Sequence, residues 1–126
     1  MRVHLSDSEW KLMDALWSGN GSTITELTRA MAPDTGWSKN TIITMLARLE
    51  SKGAVTHTEE GRAKRYAPLL SRSDAQRTAT EQFLGKVYGG SLGLMMSAMV
   101  RGRALSQQDI DELASILEQA KEGDAL

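Results

Sequence analysis

The apolar period of this chain changes near Gly53, from the three-to-four spacing of helices to strand-forming runs, and changes back near Asp74. That restricts the first part of the chain to three helices followed by a hairpin. The helix starts are marked by residues that satisfy free backbone amides. Ser6 with Glu9, and Thr23 with Glu26, match the capping box, in which the hydroxyl accepts from the third amide and the carboxylate returns to the cap amide. The first helix is read as Asp7 to Trp17, closed by Ser18-Gly19-Asn20-Gly21. The second runs from Ile24 to Met31 and is expected to stop at Pro33, which lacks the amide a helix needs. Ser38 precedes the third, Lys39 to Lys52, which ends at Gly53.

Beyond Gly53, Ala54 to Thr58 and Lys64 to Leu69 read as strands, with Glu59-Glu60-Gly61-Arg62-Ala63 as the turn between them. From Asp74, behind Ser71 or Ser73, Ala75, Ala79, Phe83 and Val87 recur every four residues until Gly89-Gly90 interrupts them. A last helix, behind Ser106, carries Ile110, Leu113, Ala114 and Leu117 on one face. The expected fold class is therefore mainly α with a small β-hairpin: a winged helix-turn-helix domain over residues 1–70 and a helical arm over residues 71–126.

Composition narrows the function. A net charge of −1 excludes a uniformly basic surface, so any nucleic-acid contact has to use a local basic face. With no cysteine there are neither disulfides nor thiolate metal sites. The N-terminus has no apolar run behind it, and the weakly polar stretch from Ser91 to Val100 is too short to span a bilayer. A cytoplasmic protein without membrane insertion, metal or cofactor is expected. No nucleophile, base and orienting group can be assembled, so an enzyme is not expected.

In a winged helix the third helix enters the major groove and the hairpin reaches toward phosphates. At 100° per residue, Ile42, Met45, Leu46 and Leu49 form one apolar stripe, opposite Asn40, Thr44, Ala47 and Ser51, with Thr41, Ile43 and Arg48 on the flanks. Asn bonds adenine bidentately, Thr donates or accepts, and an exposed Ile43 meets a thymine methyl; Asn40, Thr41, Ile43 and Thr44 are therefore the candidate base readers. Ser38, Lys39 and Arg48, with Arg62, Lys64 and Arg65 of the hairpin, are the candidate phosphate contacts. Between Trp37 and Arg65 there are six Lys/Arg against three Glu. An ordinary amphipathic surface helix would look much the same; the basic hairpin directly after it favours the DNA reading.

At these residues the sequence resembles the penicillinase-repressor (BlaI/MecI) family. The resemblance rests on Trp37-Ser38-Lys39-Asn40-Thr41-Ile42-Ile43-Thr44-Met45-Leu46, Arg48-Leu49 and Lys52-Gly53. It extends to Leu5-Ser6, Glu9-Trp10, Met13 and Trp17 upstream, and to Lys86-Val87-Tyr88-Gly89-Gly90, Leu105-Ser106-Gln107 and Glu112-Leu113 downstream. It implies a homodimeric repressor of a β-lactamase or related resistance operon, bound to an inverted-repeat operator. It also implies a membrane sensor-protease that detects β-lactams and triggers cleavage in the arm. Two positions depart from that pattern: Ile43 stands where the family has a basic residue, and Ser97-Ala98-Met99-Val100 stands in place of an Asn-Phe cleavage pair. Any cleavage in that stretch is expected around Ala98 and Met99.

The arm's Phe83, Leu84, Val87, Tyr88, Leu113 and Leu117 are the candidate dimer contacts. Met95, Met96 and Met99 fit dimer packing better than a cleavable segment. Trp10 and Trp17, on one helix face, and Trp37, just before the third helix, are read as core, and His4 and His57 as isolated histidines without a role in catalysis. Asp109, Asp111 and Glu112 sit where acids favour a helix start. Two other readings remain: a winged helix used only for protein contacts, and a regulator released by a small molecule bound between its halves.

Overall fold

The computed structural model describes residues 2–123. The chain divides into two compact units between Glu81 and Gln82. The first contains α1 (Asp7–Trp17), β1 (Ser22–Thr23), α2 (Ile24–Thr35), α3 (Lys39–Ser51), β2 (Val55–Glu60), β3 (Ala63–Pro68) and the opening turns of α4 (Arg72–Tyr88). The second holds the end of α4, then α5 (Leu92–Arg101) and α6 (Gln107–Lys121). Among the described residues no single helix is long and apolar enough to cross a membrane.

The first unit is organised around the stripe expected on the third helix. Ile42, Leu46 and Leu49 are fully buried against Leu12, Met13 and Leu16 of α1, Leu27 of α2, and Val55 and Tyr66 of the hairpin. Shortening any of these leucines to alanine is expected to cost about 2–5 kcal/mol, the lost transfer energy plus a cavity. Both anticipated capping boxes form: Ser6 with Glu9, and Thr23 with Glu26. Trp10 and Trp17 pack edge to face with ring centroids 5.6 Å apart, and both lie half-buried against the core, as does Trp37.

Three elements within the first unit differ from the sequence reading. The second helix passes through Pro33 and ends only at Gly36, whose left-handed φ of 64° supplies its stop. Pro33 is tolerated because it and Arg29, whose carbonyl loses its donor, are both exposed to water; the helix then closes with the Thr35 hydroxyl donating to the Met31 carbonyl at 2.9 Å and the Gly36 amide to Ala32 at 3.0 Å. The hairpin turn is two residues, Gly61-Arg62, so Glu59, Glu60 and Ala63 belong to strands. Gly61 has φ 63° and Arg62 does not have positive φ, the pattern of a type II′ turn. Glutamates are poor strand formers, but here Glu59 pairs across the ladder with Lys64, and Glu60 reaches Arg65 diagonally. Finally β1, too short to be read from its two residues, pairs with β3 through Ser22–Tyr66 and Thr23–Arg65. The hairpin is thus part of a three-stranded antiparallel sheet of order β1-β3-β2.

The first unit does not stop at residue 70, because the start of α4 is built into it. The helix begins at Arg72, with the Ser71 hydroxyl accepting from the Asp74 amide at 3.1 Å. Ala75 and Thr78 are buried. The Trp17 indole donates to the Leu70 carbonyl at 2.8 Å, and the Arg72 guanidinium lies 4.9 Å from the centre of the Trp17 ring while pairing with Asp14 at 2.8 Å.

The second unit has a different character. Ser91 caps α5, and Ser106 forms a capping box with Asp109 at the start of α6, which accounts for an acid at that helix start. None of its described residues is buried; Phe83, Val87, Leu92, Leu94, Val100, Ile110, Ile116 and Leu117 are all exposed.

Candidate nucleic-acid interface

Burial of Ile42, Met45, Leu46 and Leu49 turns the other side of α3 outward, and Lys39, Asn40, Thr41, Ile43, Thr44, Ala47 and Arg48 are all exposed, Ile43 at 42%. The helix start is capped: the Ser38 hydroxyl accepts from the Thr41 amide at 3.2 Å and lies 3.1 Å from the Thr41 hydroxyl. Ser38 is thereby occupied as a cap, as is usual for serine at this position.

Two shallow grooves flank α3. One is lined by Asn40, Thr41, Thr44 and Arg48 together with Ser8 of α1. The other lies between α3 and the hairpin, and gathers Lys39 and Ile43 with Arg62 and Lys64, as well as Thr25 from the first turn of α2. Ser8 and Thr25 were not anticipated. Nothing local marks either residue; only the packing of α1 and α2 beside α3 brings them there.

The expected cations separate into two kinds. Lys39, Arg48, Arg62 and Lys64 belong to no ion pair among the described residues. Arg65 does. Strand alternation turns it away from Lys64, and its guanidinium donates to the Gly21 carbonyl at 3.0 Å, to Glu26 at 3.2 Å and to both oxygens of Glu60. The Thr23 amide, then Arg65, hold the Glu26 carboxyl below the usual glutamate range. Glu60 is held below it chiefly by its hydrogen bond from Arg65, whose own pKa is raised by that bond. Lys52, one of the six counted cations, is likewise occupied: its ammonium lies 2.6 Å from Glu9 and donates to the His4 carbonyl at 3.0 Å. His57 is half-buried, with Nδ1 2.7 Å from Glu50 and its ring 5.3 Å from that of Tyr66.

In the second unit, Phe83, Val87 and Leu117 are exposed while Leu84, Tyr88 and Leu113 are half-buried. Phe83 and Tyr88 meet edge to face at 6.0 Å, and Val87 and Tyr88 line one groove with Leu94 and Ala98. Ala98 is exposed and Met99 half-buried, and both lie inside α5.

Three helices around one core, with a free face on the third and a short antiparallel sheet beside it, make this a winged-helix protein. The chain belongs to the penicillinase repressor family, which matches it over residues 5–119. It is similar to the penicillinase repressor of Bacillus licheniformis, with 35% identity over 93% of this chain and 91% of that protein. It is also similar to the methicillin resistance regulatory protein MecI of Staphylococcus aureus, with 28% identity over 90% of this chain and 92% of the relative. Among solved structures, the Bacillus licheniformis BlaI monomeric form in complex with the blaP half-operator shares 35% identity, covers 59% of this chain and 90% of that one, and aligns with a TM-score of 0.52.

Proposed function

We propose that this chain is a transcriptional repressor that binds an inverted-repeat operator as a homodimer and controls a β-lactamase or related resistance operon. The observation that carries the reading is the exposed side of α3. It presents Asn40, Thr41, Ile43 and Thr44 between Arg48 on one flank and Lys39, Arg62 and Lys64, which pair with no acid among the described residues, on the other. The relative solved with a half-operator supports it, as do relatives named as penicillinase and methicillin-resistance regulators.

In this reading α3 lies in the major groove. Asn40 and Thr44 read base edges, Ile43 packs on thymine methyls, and Lys39, Arg48, Arg62 and Lys64 neutralise phosphates on either side. One such module is a weak binder. The arm joins two, and the second half-site is then bound at high effective concentration, with half-site centres about one helical turn or a small multiple apart. Derepression follows from loss of that link, through cleavage near Ala98 and Met99 under the control of a membrane β-lactam sensor-protease. Because that bond is helical, α5 has to open locally before a protease can take it as an extended strand.

The deciding experiment is fluorescence anisotropy with DNA selected by the purified protein from a random pool, repeated over a salt series. The affinity should fall with salt at a log–log slope of roughly seven, about 0.9 for each phosphate engaged by four cations in each of two protomers. Recovery of no preferred sequence, or a salt-independent affinity, would defeat the reading.

A further inference from the structure

Arg65 is surrounded by acceptors from three separate parts of the first unit: the Gly21 carbonyl just before β1, Glu26 in the first turn of α2, and Glu60 at the end of β2. Its Nη1 reaches Gly21 and Glu26 at 3.0 and 3.2 Å, while Nε and Nη2 grip the two oxygens of Glu60. A planar fork meeting a carboxylate on two bonds fixes direction as well as distance, which a lysine ammonium does not. Glu26 is itself immobilised, because it accepts from the Thr23 amide at 2.8 Å as the carboxylate of a capping box. On its own strand Arg65 is followed by Tyr66, buried in the core, and preceded by Lys64, which lines the groove beside α3.

We infer that Arg65 is a positioning residue, which clasps the hairpin to the start of α2 and so sets the offset of Arg62 and Lys64 from the reading face of α3. It touches no phosphate itself. A single exposed ion pair contributes little, but here one guanidinium joins a carboxylate of its own hairpin to a second carboxylate and a backbone carbonyl outside it, so the hairpin loses two tethers and the brace between its strands together when it is removed. The inference rests on the DNA-binding reading of α3 and the hairpin.

The test is operator affinity and its salt slope for the full chain, with thermal melts confirming that each variant is folded. Arg65→Ala should weaken binding by about fivefold or more, the scale of one lost polar contact. In an Arg62→Ala/Lys64→Ala background the same substitution should change neither affinity nor slope, since it acts through those two side chains. Arg65→Lys should behave like Arg65→Ala, because a point charge cannot rebuild the fork. A further slope decrease of about 0.9 in the double-variant background, full binding by Arg65→Lys, or full binding by Arg65→Ala would each overturn the inference and make Arg65 a phosphate contact or a bystander. An unchanged slope in Arg62→Ala/Lys64→Ala would instead defeat the wing reading beneath it.

Discussion

The Lys52 ammonium at the C-terminal cap of α3 lies 2.6 Å from the buried Glu9 carboxylate in the first turn of α1. Glu9 also accepts from the Ser6 amide at 2.8 Å, so one side chain both caps α1 and ties it to the far end of α3. Lys52→Met should therefore destabilise the protein by about 2–3 kcal/mol. That is below the 3–5 kcal/mol of a fully enclosed pair, because the lysine is one-third exposed. Replacing both, Glu9→Leu with Lys52→Met, should recover part of the loss, since no buried charge is then left alone. Urea unfolding of the parent and the two variants checks this; a neutral Lys52→Met would remove the pair from the account of stability.

The same pair sets an acid limit. Burial pushes the Glu9 carboxyl up, but the Lys52 ammonium and the Ser6 amide outweigh it and hold it below 4.5, the ordinary glutamate value. A carboxyl whose folded pKa is depressed contributes stability above its unfolded value, and that contribution disappears as pH falls through the folded one. The melting temperature of the parent should thus exceed that of Glu9→Gln at neutral pH, with the gap closing as the pH drops below 4.5. Glu26 and Glu60 are depressed in both proteins, so the difference between the two curves isolates Glu9. A gap independent of pH would mean the carboxylate's charge plays no part.

Readout and anchoring should separate by mutation. Asn40→Ala and Thr44→Ala are expected to weaken operator binding by about 1–3 kcal/mol and to relax base preference. Arg62→Ala and Lys64→Ala should weaken all sequences alike and lower the salt slope by about 0.9 each. Selection from a random pool with each variant checks the assignment. Altered preference in the hairpin variants alone would reverse the two roles.

The arm should form the dimer. None of the described residues from Gln82 onward is buried, and a helical unit with Phe83, Val87 and Leu117 exposed leaves its apolar surface to water unless a second copy covers it. Sedimentation at micromolar concentration should give a dimer for the full chain. Phe83→Asp with Leu117→Asp should give a monomer that still melts cooperatively; a parent that sediments as a monomer contradicts this. Protein cut near Met99 should lose affinity for a full operator and retain its affinity for a half-site.

The boundary of the first unit can be checked separately. A fragment ending at Glu81 keeps Arg72 on Trp17 and Ala75 in the core, whereas one ending at Leu70 loses both. The longer fragment should melt several degrees higher, because about 1 kcal/mol corresponds to roughly 4–8 °C in a domain of this size. Equal melting temperatures would place the working boundary at residue 70.

Much of the fold was legible because its signals are local. Ser6 with Glu9 and Thr23 with Glu26 mark helix starts within four residues, and Ile42, Met45, Leu46 and Leu49 declare the buried side of α3 by spacing alone. The misplaced stop at Pro33 has the same origin in reverse. A local rule forbade the helix to continue, while the exposure of Pro33 and of Arg29, whose carbonyl loses its donor but stays within reach of water, allowed it. The five-residue turn is likewise shorter in the structure: Glu59 and Glu60 are poor strand formers, but the ladder opposite Lys64 and Ala63, with Glu60 held by Arg65, keeps them in β2.

The sequence by itself therefore determined five of the six helices among the described residues, missing α5 (Leu92–Arg101), as well as which side of α3 faces outward and that the arm carries apolar residues in excess of what it can bury. Only the tertiary structure decided which cations are free. Lys52 and Arg65 look no different from Lys39 and Lys64 in a list of charges, yet the first two are neutralised by Glu9, Glu26 and Glu60, and the others pair with no acid among the described residues. The partners lie as far as 43 residues away along the chain. Helix and strand periods come from the backbone geometry of neighbouring residues, and can be read in order. Ion pairing depends on distance in space, which exists only after α1, α2 and the sheet have closed around α3.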